Sequence, residues 1–440
     1  MSRVLISEET IQDINDAISE KNTDREFTTE VDTLVSEVAS FNQSVDNYVV
    51  SRMEGSADCE TSPNLNGITK LRGGAYAHGL VSGEISLPNC LEIGDCAFYN
   101  CDEITSVDAP VCETLKDSVF IGCTNLVSVN LPEVNYFEGM KLFDANSQLT
   151  SISLPKLKTI TMISHLTNTR DGIFDSNNVE SINLPELSTI IFNSNKPNQP
   201  SELYIYDQNI KLRHIYLPSL TSIEGEVYNN IDITDMGNIS FSILGDSAGE
   251  TIKDEDDNTI YSPLEAIDIP NLTTVNIQYI NMQTNAVSYK PVTIIDSTSG
   301  SLMYLKRINL RNFGGTLAFS STTESVVCLS SGAAGLSALE VLDLGCSNIK
   351  NSTFYKTDSI SGDKLTAVIL RNTSMCSIES AENLIITATA ANTDCYIYVP
   401  ADLLDEYKAD NVWSTVADKF RAIEDYPTVV NYKCEVSEIE

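Results

Sequence analysis

Histidine, tryptophan and basic charge are scarce in these 440 residues: three His, one Trp, and 27 Lys plus Arg against 62 Asp plus Glu. The shortfall of cations leaves a net charge of −35. A field of that sign repels phosphate backbones and anionic headgroups, so nucleic acid and membrane surfaces are not expected partners. No stretch approaches the ~20 continuous apolar residues that span a bilayer. The first residues reach Glu8 and Glu9 without an apolar run, so no secretory leader is expected within them, and the acidic stretch Glu435–Glu440 carries no hydrophobic anchor.

The vocabulary of catalysis is missing as well. His78, His165 and His214 are scattered, and none neighbours a nucleophile in a recognisable motif, so each is expected to be structural. Phosphate-binding, nucleophile-elbow and zinc-protease motifs do not occur. The eleven cysteines are odd in number, form no Cys-x-x-Cys and lack histidine at ligand spacing, which argues against zinc. Asp254-Glu-Asp-Asp257 clusters carboxylates that suit calcium but lacks the spacing of a calcium loop, and reads as a solvated tip. The expectation is a chain without catalytic residues, metal or cofactor.

What the sequence has in abundance is repetition, in a chain whose 42% hydrophobic content can build a large core. Ile85-Ser-Leu-Pro88, Val107-Asp-Ala-Pro110 and Val129-Asn-Leu-Pro132 carry one motif, with prolines 22 residues apart. A period in the twenties marks a leucine-rich-repeat solenoid, in which each coil contributes a strand and buries its apolar face against its neighbours. The motif recurs with Pro155, Pro185, Pro218 and Pro270; later strands lose the proline, which becomes Arg311, Gly345 and Arg371. Proline can end each strand because it has no N–H for the ladder. The return half repeats too: Tyr76, Phe98 and Phe120 fall at 22-residue steps and should stack as an internal aromatic ladder. Cys90 and Cys112 share one repeat position, and Cys101 and Cys123 another. Stacked about 4.8 Å apart, such thiols could bridge, but they read better as small buried fillers. The proline spacing then widens, so insertions are expected on the return side, the largest over 224–262.

Five segments follow: a helical hairpin over 1–41, from the stripes Ile11/Ile14/Ile18 and Val31/Leu34/Val35/Val38; a polar linker over 42–65; the solenoid over 66–400; a C-terminal cap over 401–426; and an acidic tail over 427–440. Between the two inward residues of each repeat strand stands one that faces the opposite, concave way. In order these are Ser86, Asp108, Asn130, Ser153, Asn183, Tyr216, Asp268, Asn309, Asp343, Ile369 and Tyr398. The polar members Asp108, Asn130, Ser153, Asn183, Tyr216, Asp268, Asn309 and Asp343 are the candidate ligand-binding residues, because solenoids bind along extended concave sheets. Tyr216 is the preferred anchor, since its ring can stack on an apolar sugar face. The plainer reading is that such residues only keep an exposed sheet soluble.

The strand-and-proline motif, the Ala97-Phe98-x-x-Cys101 return turn and the ending Tyr396-Ile-Tyr-Val-Pro400, with Leu404, Tyr407 and Trp413, resemble BspA-type leucine-rich-repeat proteins over about residues 66–426. That resemblance implies a leucine-rich-repeat solenoid of the α/β horseshoe class, mostly strands with irregular return turns, closed by a helical cap. It also implies a non-enzymatic role in surface adhesion and recognition. Residues 11–38 are similar to short helical modules near the start of bacteriophage tail and appendage proteins. Together these imply a phage tail component. Residues 1–41 would dock to other virion proteins, the repeats would bind a host-surface glycan or protein, and assembly, homo-oligomeric or not, would begin in the host cytoplasm. The alternative is a bacterial surface adhesin of the BspA type.

Overall fold

The computed structural model describes residues 65–432, except 164–168, 176–177, 195–200, 208–210, 230–238, 246–263, 282–283, 290–291, 297–303, 319–326, 331–337, 351–363 and 379–393. The hairpin of 1–41, nearly all of the linker, His165 and the Asp254–Asp257 run therefore lie outside the described residues.

Each repeat begins with a short strand whose apolar residues alternate with polar ones, the pattern of a half-buried sheet. Gly83–Ser86, Ile104–Asp108 and Ser128–Asn130 form one parallel sheet, and Ser151–Ser153 pairs with Ser181–Asn183. His214–Tyr216, Ala266–Asp268, Arg307–Leu310, Val341–Leu344, Ala367–Leu370, Tyr396–Val399 and Phe420–Ala422 continue as a seven-stranded parallel sheet. Ladder bonding runs up to the residue before the proline: the Leu87 N–H donates to Asp108 O and the Ala109 N–H to Asn130 O. The chain then turns, with Cys90 N–H donating back to Leu87 O and Cys112 N–H to Ala109 O.

After the turn comes a second strand in every early coil. Lys70–Leu71, Glu92–Ile93, Thr114–Leu115, Tyr136–Glu138, Thr159–Ile163, Thr189–Ser194, Ser222–Asn229 and Thr274–Asn281 stack in parallel, with Val287–Tyr289 antiparallel at the edge. Hydroxyls bind successive coils together on this side: Ser188 Oγ donates to Lys158 O, Thr221 Oγ1 to Ser188 O and Thr273 Oγ1 to Thr221 O.

The return side has two regimes. Through residue 150 it consists of turns, and its register is kept by a ladder of rings. Tyr76, Phe98, Phe120 and Phe143 stack with centroids 5.8, 5.8 and 5.3 Å apart and planes within 10° of parallel. The expected three-ring ladder thus extends to Phe143. Beside it runs a column of left-handed residues, His78, Asn100, Gly122 and Ala145, at φ of 54–69°. At Gly122 a Cβ would meet the Asn100 side-chain amide, and the φ of +69° itself strains any residue but glycine there.

From residue 151 the widened spacing does not produce simple excursions. Thr169–Asp175, Ser201–Asp207, Ile239–Gly245, Val292–Asp296 and Val327–Ser330 form a third parallel sheet, joined by Thr316–Ala318, Asn348–Lys350 and Ser377–Ile378. The insertion expected over 224–262 therefore contains most of one second-sheet strand, Ser222–Asn229, and all of Ile239–Gly245. Among the described residues between 65 and 400 no α-helix occurs, and the described parts of the return side are turns and strands.

The core lies between the sheets and includes inward positions of the early strands such as Ile85, Val107, Leu131 and Leu154, all at most 3% exposed, while the inward Val129 is only half-buried against it. It closes on a cap that is only partly helical. Leu404–Ala409 is α-helical, Trp413–Lys419 is a 3-10 segment, and Phe420–Ala422 returns as a strand beside Tyr396–Val399. Tyr407, Trp413 and Phe420 pack ring against ring beneath it.

Candidate functional site

The strand register places Ser86 beside Asp108 and Asp108 beside Asn130; it places Asn183 beside Ser153, and Tyr216 beside Asp268. Asp268, Asn309, Asp343, Ile369 and Tyr398 follow in one line. One backbone column is nevertheless two different surfaces.

The first half is open. Ser86, Asp108, Asn130, Ser153 and Asn183 are exposed, and Tyr216 is half-buried at its end. Asn130 Nδ2 donates to Asp108 Oδ1 at 2.6 Å, and Asn183 Nδ2 to Ser153 Oγ at 3.4 Å, so the side chains lie along the ladder. Alternation in the strands supplies a second column two residues earlier: Glu84, Ser106, Ser128, Ser151, Ser181 and His214. Sequence reasoning passed over this column, though four consecutive serines at repeat position signal it. The two columns make a low surface of hydroxyl, amide and carboxylate groups repeating at about 4.8 Å, the distance between paired strands.

The second half is closed. Asp268, Asn309 and Asp343 are 0% exposed, which corrects the expectation that they line an accessible face. The cover is the segment from Ile423 to Tyr432, so the expected acidic tail over 427–440 begins instead as a short helix, Pro427–Val430, against the sheet. Val430 packs on Ala367, Ile369 and Tyr398, with Ile423, Val429 and Tyr432 around it.

Buried carboxylates need partners, and here they have several. Arg307 grips Asp268 through Nε (3.0 Å to Oδ1) and Nη2 (2.6 Å to Oδ2), while His214 Nε2 and Asn309 Nδ2 reach the same carboxylate. Arg371 grips Asp343 through Nε at 2.7 Å and Nη2 at 2.8 Å, and Arg311 Nη2 lies 3.2 Å from it. The Tyr432 hydroxyl donates to Asp343 Oδ2 at 2.8 Å, its ring facing the guanidinium groups of Arg307 and Arg311 at 5.0 and 5.3 Å. Arg371 also donates to the Val430 carbonyl, which ties the covering segment to the sheet. Burial alone would raise the Asp268 carboxyl; the hydrogen bonds from His214 and Arg307 and the Arg307 charge outweigh it and hold the group well below the usual carboxylate range. Burial, then the Asp343 charge, pushes the Tyr432 hydroxyl far up, so it remains a donor.

Arg311 and Arg371 stand where the earlier repeats have proline. The substitution restores a backbone N–H, which Arg371 donates to Leu344 O, and supplies the cation that a buried acid requires. Paired in this way, the acids hold the cover in place and offer nothing to a ligand. Among the described residues no group of three or more His, Cys, Asp and Glu is arranged to hold a metal.

The fold and its two faces can be set beside known proteins. The profile of the BspA type leucine-rich-repeat region matches residues 69–196 and 155–249, with six copies. No curated protein matches the chain. Among solved structures, a leucine-rich cell surface protein from Faecalibacterium prausnitzii A2-165 aligns at 16% identity over 74% of this chain and 81% of its own, with a TM-score of 0.26. A TLR13–ssRNA13 complex aligns at 14% identity over 76% of this chain and 57% of its own, with a TM-score of 0.16. The family match does not reach residues 1–41, on which the likeness to phage appendage modules rests. Residues 69–249 are thus similar to the BspA type leucine-rich-repeat region.

Proposed function

We propose that this chain is a non-enzymatic, surface-displayed recognition protein of the adhesin kind, and that it binds an extended polar ligand along the open half of its concave ladder. The observation that carries this reading is the contrast within one column. Five exposed rungs, Ser86 to Asn183, are followed by Tyr216, and beyond it the chain's own segment fills the face. Among the described residues nothing covers the sheet over these rungs, and the open stretch ends at the half-buried Tyr216.

The open columns carry Glu84 and Asp108 and no lysine or arginine, which disfavours anionic ligands and suits neutral ones. Two steps of the ladder span about 10 Å, close to the length of a disaccharide unit in an extended chain, so a neutral polysaccharide could repeat its contacts along the ladder. Tyr216 would stack on a sugar face at the closed end. The BspA-type repeat supports a surface setting. The virion alternative rests on residues 1–41 alone and draws no support from the repeats.

Immobilised neutral and acidic polysaccharides, with a set of host surface proteins, would test the ligand class. Retention on a neutral glycan, lost in Tyr216→Ala at unchanged melting temperature, is the expected result; retention only on an acidic polymer or only on protein would overturn the glycan assignment. Gold-labelled antibody should decorate intact cells of the source organism, and labelling confined to phage particles would reverse the localisation.

A further inference from the structure

Six of the eight cysteines among the described residues fall into two kinds. Cys101 donates its thiol hydrogen to Tyr76 O at 2.9 Å and Cys123 to Phe98 O at 3.1 Å, each one coil away. Cys90 and Cys112 likewise point at carbonyls, of Glu92 at 3.1 Å and Thr114 at 3.4 Å. These four are buried fillers whose hydrogens are already used.

Cys346 and Cys376 differ in facing each other, although Cys376 Sγ also reaches Ser377 O at 3.7 Å. Their sulfurs face each other at 3.8 Å across neighbouring coils, and both side chains are at most 1% exposed. The residues lie just before Asn348–Lys350 and Ser377–Ile378, which pair in parallel as Asn348↔Ser377 and Ile349↔Ile378. Neighbouring strands bring Cα atoms within the roughly 4.4–6.8 Å that a disulfide spans.

We propose that Cys346 and Cys376 form a site of reversible covalent modification, an intrachain disulfide made when the chain meets an oxidising thiol–disulfide pair. One protein thiolate attacks a small-molecule disulfide, forming a mixed disulfide and releasing one thiolate. The second cysteine attacks the protein sulfur of that intermediate and releases the other. Two protein S–H bonds are lost, one S–S bond forms, and the small disulfide is reduced to two thiols. Mutual contact and burial push the Cys346 thiol well up, so in the folded chain the exchange is slow and belongs to folding or to long exposure.

The location gives the bond a purpose. Trp413 Nε1 donates to Cys376 O at 2.7 Å, and the Cys376 N–H donates to Tyr407 Oη at 2.7 Å. Cys376 is thus the point on which the C-terminal cap rests, and the cap leads into the segment that covers the closed half of the face. A bond closing a span of 30 residues would fix that seat and remove conformations from the unfolded chain.

The test uses the full chain unfolded and refolded in a mixture of reduced and oxidised glutathione, then quenched with acid, alkylated and mapped by mass spectrometry. The expected product is one cross-linked peptide joining Cys346 to Cys376, with Cys90, Cys101, Cys112 and Cys123 alkylated. The oxidised chain should melt several degrees above the reduced one, and that difference should vanish in Cys346→Ala/Cys376→Ala. Recovery of Cys346 and Cys376 as free thiols, or their linkage to other cysteines, would overturn the proposal. The mapping is done on the unaltered chain, so it decides the matter even if the double variant folds poorly.

Discussion

At the scale of single residues, the structure separates buried side chains that hold the fold from ladder side chains exposed on the sheet. Phe120 is fully buried between Phe98 and Phe143, and its removal leaves a hole in a stack whose neighbours are fixed by the coil spacing. Phe120→Ala should cost about 3–5 kcal/mol in a denaturant titration. Asp343→Ala leaves Arg371, Arg311 and Tyr432 facing an empty acceptor. A loss of about 3–5 kcal/mol, as for a broken buried pair, is expected. The pH dependence follows from Asp268, whose carboxyl is depressed in the folded chain. Its contribution is fully present above the ordinary carboxylate range, shrinks as acid protonates the unfolded chain, and is gone once pH falls through the folded value. Melting temperatures of the parent chain should therefore fall more steeply in acid than those of Asp268→Asn. Equal slopes would remove Asp268 from the account.

At the scale of elements, what could be read from sequence depended on period. The first strand of each coil was legible because Leu-x-x-Ile-x-Leu-Pro spacing states both the inward residues and the end of the strand. The aromatic ladder was legible for the same reason. The third sheet was missed because its strands, such as Ile239-Ser-Phe-Ser-Ile-Leu-Gly245, recur at irregular distances and carry no proline. Alternation within Ile239–Gly245 was the available signal. The burial of Asp268, Asn309 and Asp343 was missed because it depends on a segment distant in sequence; Tyr432 bonds to Asp343 across 89 residues. The replacement of proline by Arg311 and Arg371 was the hint, since an arginine beside a ladder acid supplies the partner a buried carboxylate needs. Deleting residues 423–440 should accordingly lower the melting temperature and make Tyr398 and Ile369 accessible. Increased binding of an apolar dye with a lowered melt is the expected outcome, and an unchanged melt would show that the cover contributes no stability.

At the scale of the whole molecule, the core of the repeats is closed among residues 65–432, with Leu65 already part of it at 4% exposed. A chain starting at residue 61 should fold cooperatively and remain soluble, as judged by calorimetry and light scattering; failure to fold would make residues 1–41 part of the solenoid's own cap. The central claim concerns the open half of the face. It is tested most directly by placing a bulky cation on successive rungs, Asn130→Arg, Ser153→Arg and Asn183→Arg, beside a control on the second sheet, Thr114→Arg. Affinity for the retained ligand is then measured on each folded variant. The account predicts that each ladder variant loses at least about 2 kcal/mol of binding, roughly thirtyfold, while the control binds as the parent does. Undiminished binding by all three ladder variants would contradict it.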